Sequence, residues 1–484
     1  MPGVLIAGTS SDAGKSLVVT GLCRALRRRG IDVAPYKAQN MSNNSMVCSD
    51  GSEIGRAQYL QAQAACVEPS SAMNPVLLKP GTDRRSFVVV RGQPSGTLEA
   101  GEYATGRRHL AEAAFAAYAE LESSCDLVVV EGAGSPAEIN LRERDYVNLG
   151  LARHAGLPVV LVGDIDRGGV LASIFGTWGI VDDADRAHLA AYLINKFRGD
   201  ASVLQPGLVE LTRRTGLPCL GVLPWLDGVW LDGEDALDLT RWPASDAEGA
   251  LRVAVVRLPR ISNSTDVDAL AHEPGVEVAV TTDPRVVAAA DLAVLPGSRS
   301  TVTDLAWLRD RGLADAVVER HRAGRPTIGI CGGYQMLART IDDPVESKAG
   351  VVDGLGVLPV EVAFGEKVLA RTRHPWRGLS VPGYEIHHGH CTVVGDADEE
   401  FLDGVRVGAT FGTLLHGAME DDSFRRAFLA EIAPLSGSRW TPDPEASGYA
   451  DRREAMIETL ADAVEEHVDI DALLALVRDF RSVR

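Results

Sequence analysis

Val4-Leu5-Ile6-Ala7-Gly8-Thr9-Ser10-Ser11-Asp12-Ala13-Gly14-Lys15-Ser16-Leu17-Val18 is the stretch that decides the fold. An uninterrupted apolar run leads into a turn rich in small residues that ends in Lys-Ser. Apolar residues at helical spacing follow (Leu17, Val18, Leu22, Leu26), ending at Gly30. Glycines let backbone amides curl round phosphate oxygens, and a helix N-terminus adds its positive dipole, so this order of elements predicts a phosphate loop. Gly8, Thr9, Asp12, Gly14, Lys15 and Ser16 are its candidate ATP-binding residues. Lys15 would reach the β- and γ-phosphates, and the Ser16 hydroxyl would ligate Mg2+. Five residues separate Gly8 from Gly14, one more than the commonest pattern has.

Working outward, similar unbroken apolar runs recur at Leu127–Val130, Pro158–Val162, Ala191–Ile194, Val253–Val256, Leu292–Leu295 and Thr327–Ile330. Runs without alternation read as strands covered on both faces. Their interleaving with helical patterns predicts an α/β fold with a doubly wound parallel sheet, and the pattern occurs twice. Residues 226–250 turn acidic and irregular, which places a boundary near residue 245 and gives two domains, 1–245 and 246–484. From about Asp451 the chain is helical, with Ile457, Leu460, Val464 and Val468 on one face, and this tail is expected to pack on the second domain.

Composition narrows the function classes. The chain has 484 residues, 45% hydrophobic and 24% charged, as ordinary globular domains do. Its 48 Lys and Arg against 67 Asp and Glu give a formal charge of −19, which disfavours nucleic acid and anionic membranes as partners. An anionic substrate must then be drawn in by local cations. The seven cysteines (23, 48, 66, 125, 219, 331, 391) are scattered and never form a CxxC pair, which argues against disulfides and zinc and for a reducing compartment. With no apolar run near the roughly 18 residues of a membrane span and no basic n-region ahead of the phosphate loop, a cytoplasmic enzyme is expected.

Supporting carboxylates can be placed. Glu131 ends the buried strand Leu127–Val130 and is a candidate for the Mg2+ shell. Asp50 and Glu53 follow a polar Asn/Ser-rich loop and could serve likewise, or be solvated loop acids. Asn195 follows the strand Ala191–Ile194 and is either a base-contacting residue or a capping Asn.

A second site is written in Thr327-Ile328-Gly329-Ile330-Cys331-Gly332-Gly333-Tyr334-Gln335. Strand, sharp turn and helix with Cys at the apex form a nucleophile elbow, which exposes the thiol at a helix N-terminus where the dipole favours thiolate. The Gly332 amide is one oxyanion donor by position, and the loop Pro296-Gly297-Ser298 could supply another. The base must be a distant His, and His416 in Leu414-Leu415-His416-Gly417 suits that role. On a strand, His388 and His390 would share a face, but without an evident third ligand they read as substrate contacts or surface residues.

Taken together, the motifs closely resemble the CobQ family, the glutamine-hydrolysing cobyric acid synthases of cobalamin biosynthesis. The resemblance spans essentially the whole chain. It rests on Tyr36-Lys37-Ala38-Gln39-Asn40-Met41-Ser42-Asn43-Asn44-Ser45, Glu131-Gly132-Ala133-Gly134-Ser135-Pro136-Ala137-Glu138 and Gly163-Asp164-Ile165-Asp166-Arg167-Gly168-Gly169. Further matches are Asn195-Lys196-Phe197-Arg198-Gly199-Asp200, Asn263-Ser264-Thr265-Asp266 and Gly383-Tyr384-Glu385-Ile386-His387. The resemblance implies a dethiobiotin synthetase-like first domain, whose longer phosphate loop accounts for the extra residue. A class I glutamine amidotransferase-like domain would follow.

The activity so implied is that of a ligase forming carbon–nitrogen bonds with glutamine as amido donor. Cys331 and His416 would release ammonia from glutamine, and ATP would convert a substrate carboxylate to an acyl phosphate for ammonia to attack. The implied substrate is a corrinoid polycarboxylate, adenosylcobyrinic acid a,c-diamide, amidated at b, d, e and g. Lys37, Gln39 and Asn40 are its candidate contacts, with Arg167 a further local cation, and a homo-oligomer is compatible with the family. Two departures stand out. Glutaminases of this class carry Glu two residues after the catalytic His, where this chain has Ala418, and Glu420 lies two residues further on. His388 stands where the family pattern has Met. Alternatives are the sibling enzyme that amidates the a and c carboxylates, and a nucleotide-switch or scaffold ATPase with an inactive glutaminase domain.

Overall fold

The computed structural model describes residues 3–82, 85–99, 108–230 and 249–482. All seven apolar runs are strands. Six parallel strands form the first sheet, in the spatial order Cys219–Pro224, Leu189–Phe197, Val159–Asp164, Gly3–Gly8, Leu127–Glu131, Val33–Tyr36. The chain starts on Gly3–Gly8, winds to the Val33–Tyr36 edge, then crosses back to the other side. Gly3–Gly8 therefore flanks the point where strand order reverses, the place where open α/β sheets bind ligands beyond their carboxyl ends. The phosphate loop leaves that strand there, and its helix is Lys15–Arg28.

The second sheet has seven strands. Val276–Thr281, Leu251–Val256, Leu292–Leu295, Thr327–Ile330 and Thr410–Thr413 run parallel, with Gly404–Val407 and Glu399–Phe401 added antiparallel at one edge. A long hairpin, Val360–Trp376 with Leu379–Val393, stands beside it. The expected boundary near residue 245 falls in 231–248, outside the described residues.

An excursion of the first domain reaches the second. Between Val33–Tyr36 and the helix Arg108–Ser124 the chain builds a four-stranded sheet and the hairpin Ser45–Val47/Glu53–Gly55. Val47 is buried against Tyr384 and Ile386 of the second domain's long hairpin.

The tail corrects the sequence reading. Helices Tyr449–His467 and Ile470–Ser482 are present, but they pack on the first domain. Ile457, Ala461, Val464 and Leu473 share one apolar cluster with Val4, Ile6, Leu22 and Val162. Periodicity identified the buried face correctly; it carries no information about which domain covers it. Helix Lys15–Arg28 crosses the tail so closely that a Cβ on Gly21 would lie 2.7 Å from the Leu460 carbonyl oxygen. Arg24 and Arg28 reinforce the crossing through ion pairs to Glu454, Glu458 and Asp462.

Candidate active site

The first site gathers around Glu131. Its Oε1 accepts hydrogen bonds from Ser16 Oγ at 2.8 Å and Lys37 Nζ at 2.8 Å, and its Oε2 from Gln61 Nε2 at 2.6 Å. The carboxylate is 1% exposed, so the Lys37 ammonium is the charge that makes its burial tolerable. Lys15 Nζ rests on the carbonyl oxygens of Ser10 and Gly134, linking the loop to the Glu131-Gly132-Ala133-Gly134 stretch. Gly8 leaves room for it: a Cβ there would lie 2.9 Å from Lys15 Nζ.

A cavity of about 770 Å³ opens over this cluster. Asp12, Gly14, Lys15, Ser16, Lys37, Asn40, Glu131, Arg167 and Asn195 all line it, so the phosphate loop and Glu131 share one cavity with Lys37 and Asn40. Lys15, Lys37, Arg167, Lys196 and Arg260 supply the local cations that an acidic chain needs to hold anions. Gly8 and Thr9 sit behind the loop, where the Thr9 amide donates to Val162 O at 3.0 Å.

Three expectations need correcting. Gln39 turns away from the cavity, its Oε1 accepting from the Tyr146 hydroxyl at 2.5 Å. Asp50 folds onto its own turn, accepting from Ser52 N and Oγ, which holds it below the usual carboxylate range. Glu53 is fully buried, with Lys79 and Ser45 on one oxygen and Lys367 on the other. Burial works to raise its pKa, and the two ammonium groups override that and hold it well below the ordinary value. Neither acid joins Ser16 and Glu131. Asn195 acts on the loop: its Nδ2 donates to Ala13 O at 2.9 Å, and Gly14 at φ 89° leaves that amide its space.

The residues fit a hard divalent cation. Ser16 and Glu131 offer oxygens side by side, and Gln61 Oε1 is buried with no hydrogen-bond partner among the described residues. Gln61 lies on the helix Arg56–Ala64, and no motif in the sequence singles it out.

The second site is built on the elbow. Strand Thr327–Ile330 passes into helix Gly332–Leu337 through Cys331, whose φ of 49° and ψ of −109° lie outside the regions ordinary residues occupy. The turn demands glycines after it. A Cβ on Gly333 would lie 2.0 Å from Leu295 O, and one on Gly332 2.7 Å from the Ser298 amide. That approach sets the Ser298 backbone against the turn that carries Cys331. The Ser298 hydroxyl is engaged elsewhere, donating to Asp304 at 2.6 Å. Gly297 lies beside the base; a Cβ there would come within 3.0 Å of His416 Cε1.

His416 interacts with Cys331, and its Nδ1 lies 2.6 Å from Asp266 Oδ2. Asp266 Oδ1 accepts from the Gly417 amide at 2.8 Å, which fixes the carboxylate against the His loop. The third member absent from the chain near His416 is therefore supplied from helix Thr265–Ala271, about 150 residues earlier. Burial works to lower the His416 pKa, and the Asp266 carboxylate, with Cys331, overrides it and pushes the imidazole up to about 10. Glu420 serves another purpose: it pairs with Arg56 of the first domain and Arg453 of the tail.

The Gly383-Tyr384-Glu385-Ile386-His387 motif frames this site. Tyr384 exchanges both backbone hydrogen bonds with His416 and stacks on its ring at 5.5 Å, while Ile386 O faces Cys331 Sγ at 3.9 Å. His387 pairs with Glu385 at 3.0 Å, His388 Nδ1 lies 3.0 Å from Gly365 O, and His390 Nε2 3.1 Å from Glu366 O.

Comparison with known proteins agrees with both halves. Residues 4–237 match the CobQ/CobB/MinD/ParA nucleotide binding domain, and residues 252–424 match the CobB/CobQ-like glutamine amidotransferase domain. A cobyric acid synthase of Cutibacterium acnes is 67% identical over 99% of this chain and 100% of its own. One of Mycolicibacterium gilvum is 56% identical over 99% and 97%, and one of Mycobacterium tuberculosis 55% over 99% and 97%. With a phosphate loop and a Cys-His-Asp site joined in this order, and with similarity of that depth along its whole length, the chain belongs to the cobyric acid synthase family.

Proposed function

We propose that this chain amidates the b, d, e and g carboxylates of adenosylcobyrinic acid a,c-diamide, giving adenosylcobyric acid and consuming one ATP and one glutamine at each position. It is then a carbon–nitrogen ligase with glutamine as amido donor. The observation that carries the reading is the coexistence of the Cys331–His416–Asp266 site with the Ser16–Glu131–Lys37 cluster in one chain.

In the glutaminase half, His416 holds the proton of Cys331 while the Sγ attacks the side-chain carbonyl of glutamine. With Nδ1 turned to Asp266, the other ring nitrogen is the one available to the thiol. The oxyanion that develops faces the amides of Ser298 and Gly332. His416 returns the proton to the departing nitrogen, the C–N bond breaks, and water hydrolyses the thioester to glutamate.

In the synthetase half, a substrate carboxylate oxygen takes the γ-phosphoryl group of ATP and ADP departs. Ammonia then attacks the acyl carbon, the C–O bond to phosphate breaks, and the amide loses a proton. Lys15 and Lys37 face the charge on the transferring group. Ser16, Glu131 and Gln61 would hold Mg2+, which supplies charge neutralisation at the phosphate oxygens.

The test is mass spectrometry of adenosylcobyrinic acid a,c-diamide incubated with the protein, ATP, Mg2+ and glutamine. Each conversion replaces a hydroxyl by an amino group and lowers the mass by about one unit. A shift of four steps is expected. Unchanged substrate alongside glutamine hydrolysis would overturn the substrate and favour the a,c-amidating sibling. Absence of glutamine hydrolysis would overturn the amidotransferase reading altogether.

A further inference from the structure

A second cavity lies against Cys331, and part of its wall comes from the first domain. Lys79, Arg299, Glu346, Lys367 and His387 line it together with the nucleophile. Lys79 belongs to the strand Val76–Pro80 of the first-domain excursion and is 4% exposed. The excursion also grips the segments beside it. The Ser300 hydroxyl donates to Gly81 O at 3.0 Å, the Arg299 guanidinium lies 3.5 Å from the centre of the Phe87 ring, and Arg85 Nη2 donates to Glu346 O at 3.1 Å.

The charges on this wall do not balance. Lys79 and Lys367 share the Glu53 carboxylate, and Arg299 pairs with Glu346. Among the described residues, three cations therefore meet two carboxylates at one face of the cavity. Burial outweighs Glu53 and, with Lys367 and Arg299 nearby, holds the Lys79 ammonium down to about 8. A buried charge is costly until it is paired, so this wall favours an anionic ligand. His387 is an independent sign of an occupant. Its Nε2 lies 3.0 Å from Glu385 Oε2, while its Nδ1 is buried with no hydrogen-bond partner among the described residues. In a neutral ring whose Nε2–H faces that carboxylate, Nδ1 is an acceptor.

Resting on the amidotransferase reading, we propose that this wall reads the α-amino-acid end of glutamine, with Lys79 of the first domain and Arg299 taking the α-carboxylate, and with Glu346 and His387 Nδ1 taking the α-ammonium. The ligand so described carries an anion and a cation at one end and an amide at the other, where Cys331 stands. The glutaminase half then does not hold its substrate unaided, because Lys79 arrives on a strand of the synthetase half. Lys79 is a specificity residue in this arrangement. No proton transfer is asked of it, and the chemistry at the carboxamide stays with Cys331 and His416.

The experiment uses the full-length protein and follows ammonia release from three compounds. These are L-glutamine, glutaramate (glutamine without its α-amino group) and 4-aminobutanamide (glutamine without its α-carboxylate). In the unaltered protein kcat/KM for each analogue is expected to lie about 10²-fold below that for glutamine, as loss of a charge-assisted hydrogen bond gives. Lys79→Met leaves Glu53 paired with Lys367. It is expected to raise the KM for glutamine about 10²-fold with kcat retained, while kcat/KM for 4-aminobutanamide stays as in the unaltered protein. A merely distorted pocket would lower both substrates alike, and that result would overturn the proposal. Glu346→Gln is the second variant, expected to lose kcat/KM on glutamine and to keep it on glutaramate. An unchanged glutamine KM in Lys79→Met would overturn the assignment of Lys79, and equal losses on both compounds in Glu346→Gln that of Glu346. An unaltered protein that takes the analogues as readily as glutamine would overturn the subsite as a whole. Ammonia release from none of the three would instead sink the amidotransferase reading.

Discussion

Asp266 Oδ2 lies 2.6 Å from His416 Nδ1, and the two side chains are 2% and 1% exposed. The bond sets the tautomer of the imidazole and stabilises its protonated form in a site with little water to do so. Asp266→Asn keeps the shape and removes the charge. Glutamate release from glutamine is expected to fall on the order of 10³–10⁴-fold, as loss of an orienting Asp does in comparable triads. Amidation with ammonium chloride should continue; a glutaminase rate near that of the unaltered protein would remove Asp266 from the site.

Cys331→Ala gives the complementary result. Glutamine hydrolysis is expected to disappear, and ATP-dependent amidation is expected to return when ammonium salts are supplied at a pH that leaves some free ammonia. Product mass with each nitrogen source reads both halves in one assay. Failure of ammonium to restore the product would mean that Cys331 has a role beyond releasing ammonia.

Glu131→Gln addresses the other half. Removing one partner of a buried ion pair strands the Lys37 ammonium, and a cost of about 3–5 kcal/mol is expected in denaturant unfolding of the first domain. ADP formation and ammonia-dependent amidation should be lost, and glutamine hydrolysis retained. Retained ADP formation would place the phosphoryl-transfer centre elsewhere.

The pH profile follows from His416. Its pKa in the folded protein, about 10, lies above the unfolded value of about 6.5. A group shifted in this direction contributes stability that is fully present below about 6.5 and is lost as pH rises through about 10. Glutaminase activity is accordingly expected to lack a basic limb through neutral pH and to decline only toward pH 10. Asp266→Asn should move that limb downward. A limb at the same pH in both proteins would separate it from His416.

The fold was legible because its signals are local. The phosphate loop, the seven apolar runs and the Cys331 elbow each bring strand, turn and helix together within a dozen residues or so, where spacing constrains geometry. Asp266 was visible as part of a motif, yet nothing near it in sequence connects it to His416; the pairing exists only because Leu251–Val256 and Thr410–Thr413 belong to one sheet. Glu53 misled for the converse reason. An acid after a polar loop looks solvent-facing until the hairpin that carries it is seen pressed against Lys79 and Lys367. Gln61 gave no signal because a Gln on a helix differs from a surface Gln only in what tertiary packing places beside it.

Gly21→Val tests the helix crossing. The added atoms meet the Leu460 backbone oxygen, and overpacking of this kind costs about 1–3 kcal/mol. Leu460, Ala463 and Val464 also line the nucleotide cavity, so weaker ATP binding is expected along with a lower denaturation midpoint. Unchanged values for both would show that the tail is a passive cover.

That crossing also imposes an order on biogenesis. The first half of the chain leaves the ribosome with its sheet lacking part of one apolar covering, because Ile457, Val464 and Leu473 have yet to be translated. Its nucleotide cavity gains its last wall only when the helix Tyr449–His467 folds back over the helix Lys15–Arg28. By then every residue of the glutaminase has been made. A chain truncated before that helix therefore leaves the nucleotide cavity without the wall that Leu460, Ala463 and Val464 supply, after the glutamine amidotransferase domain has already been made.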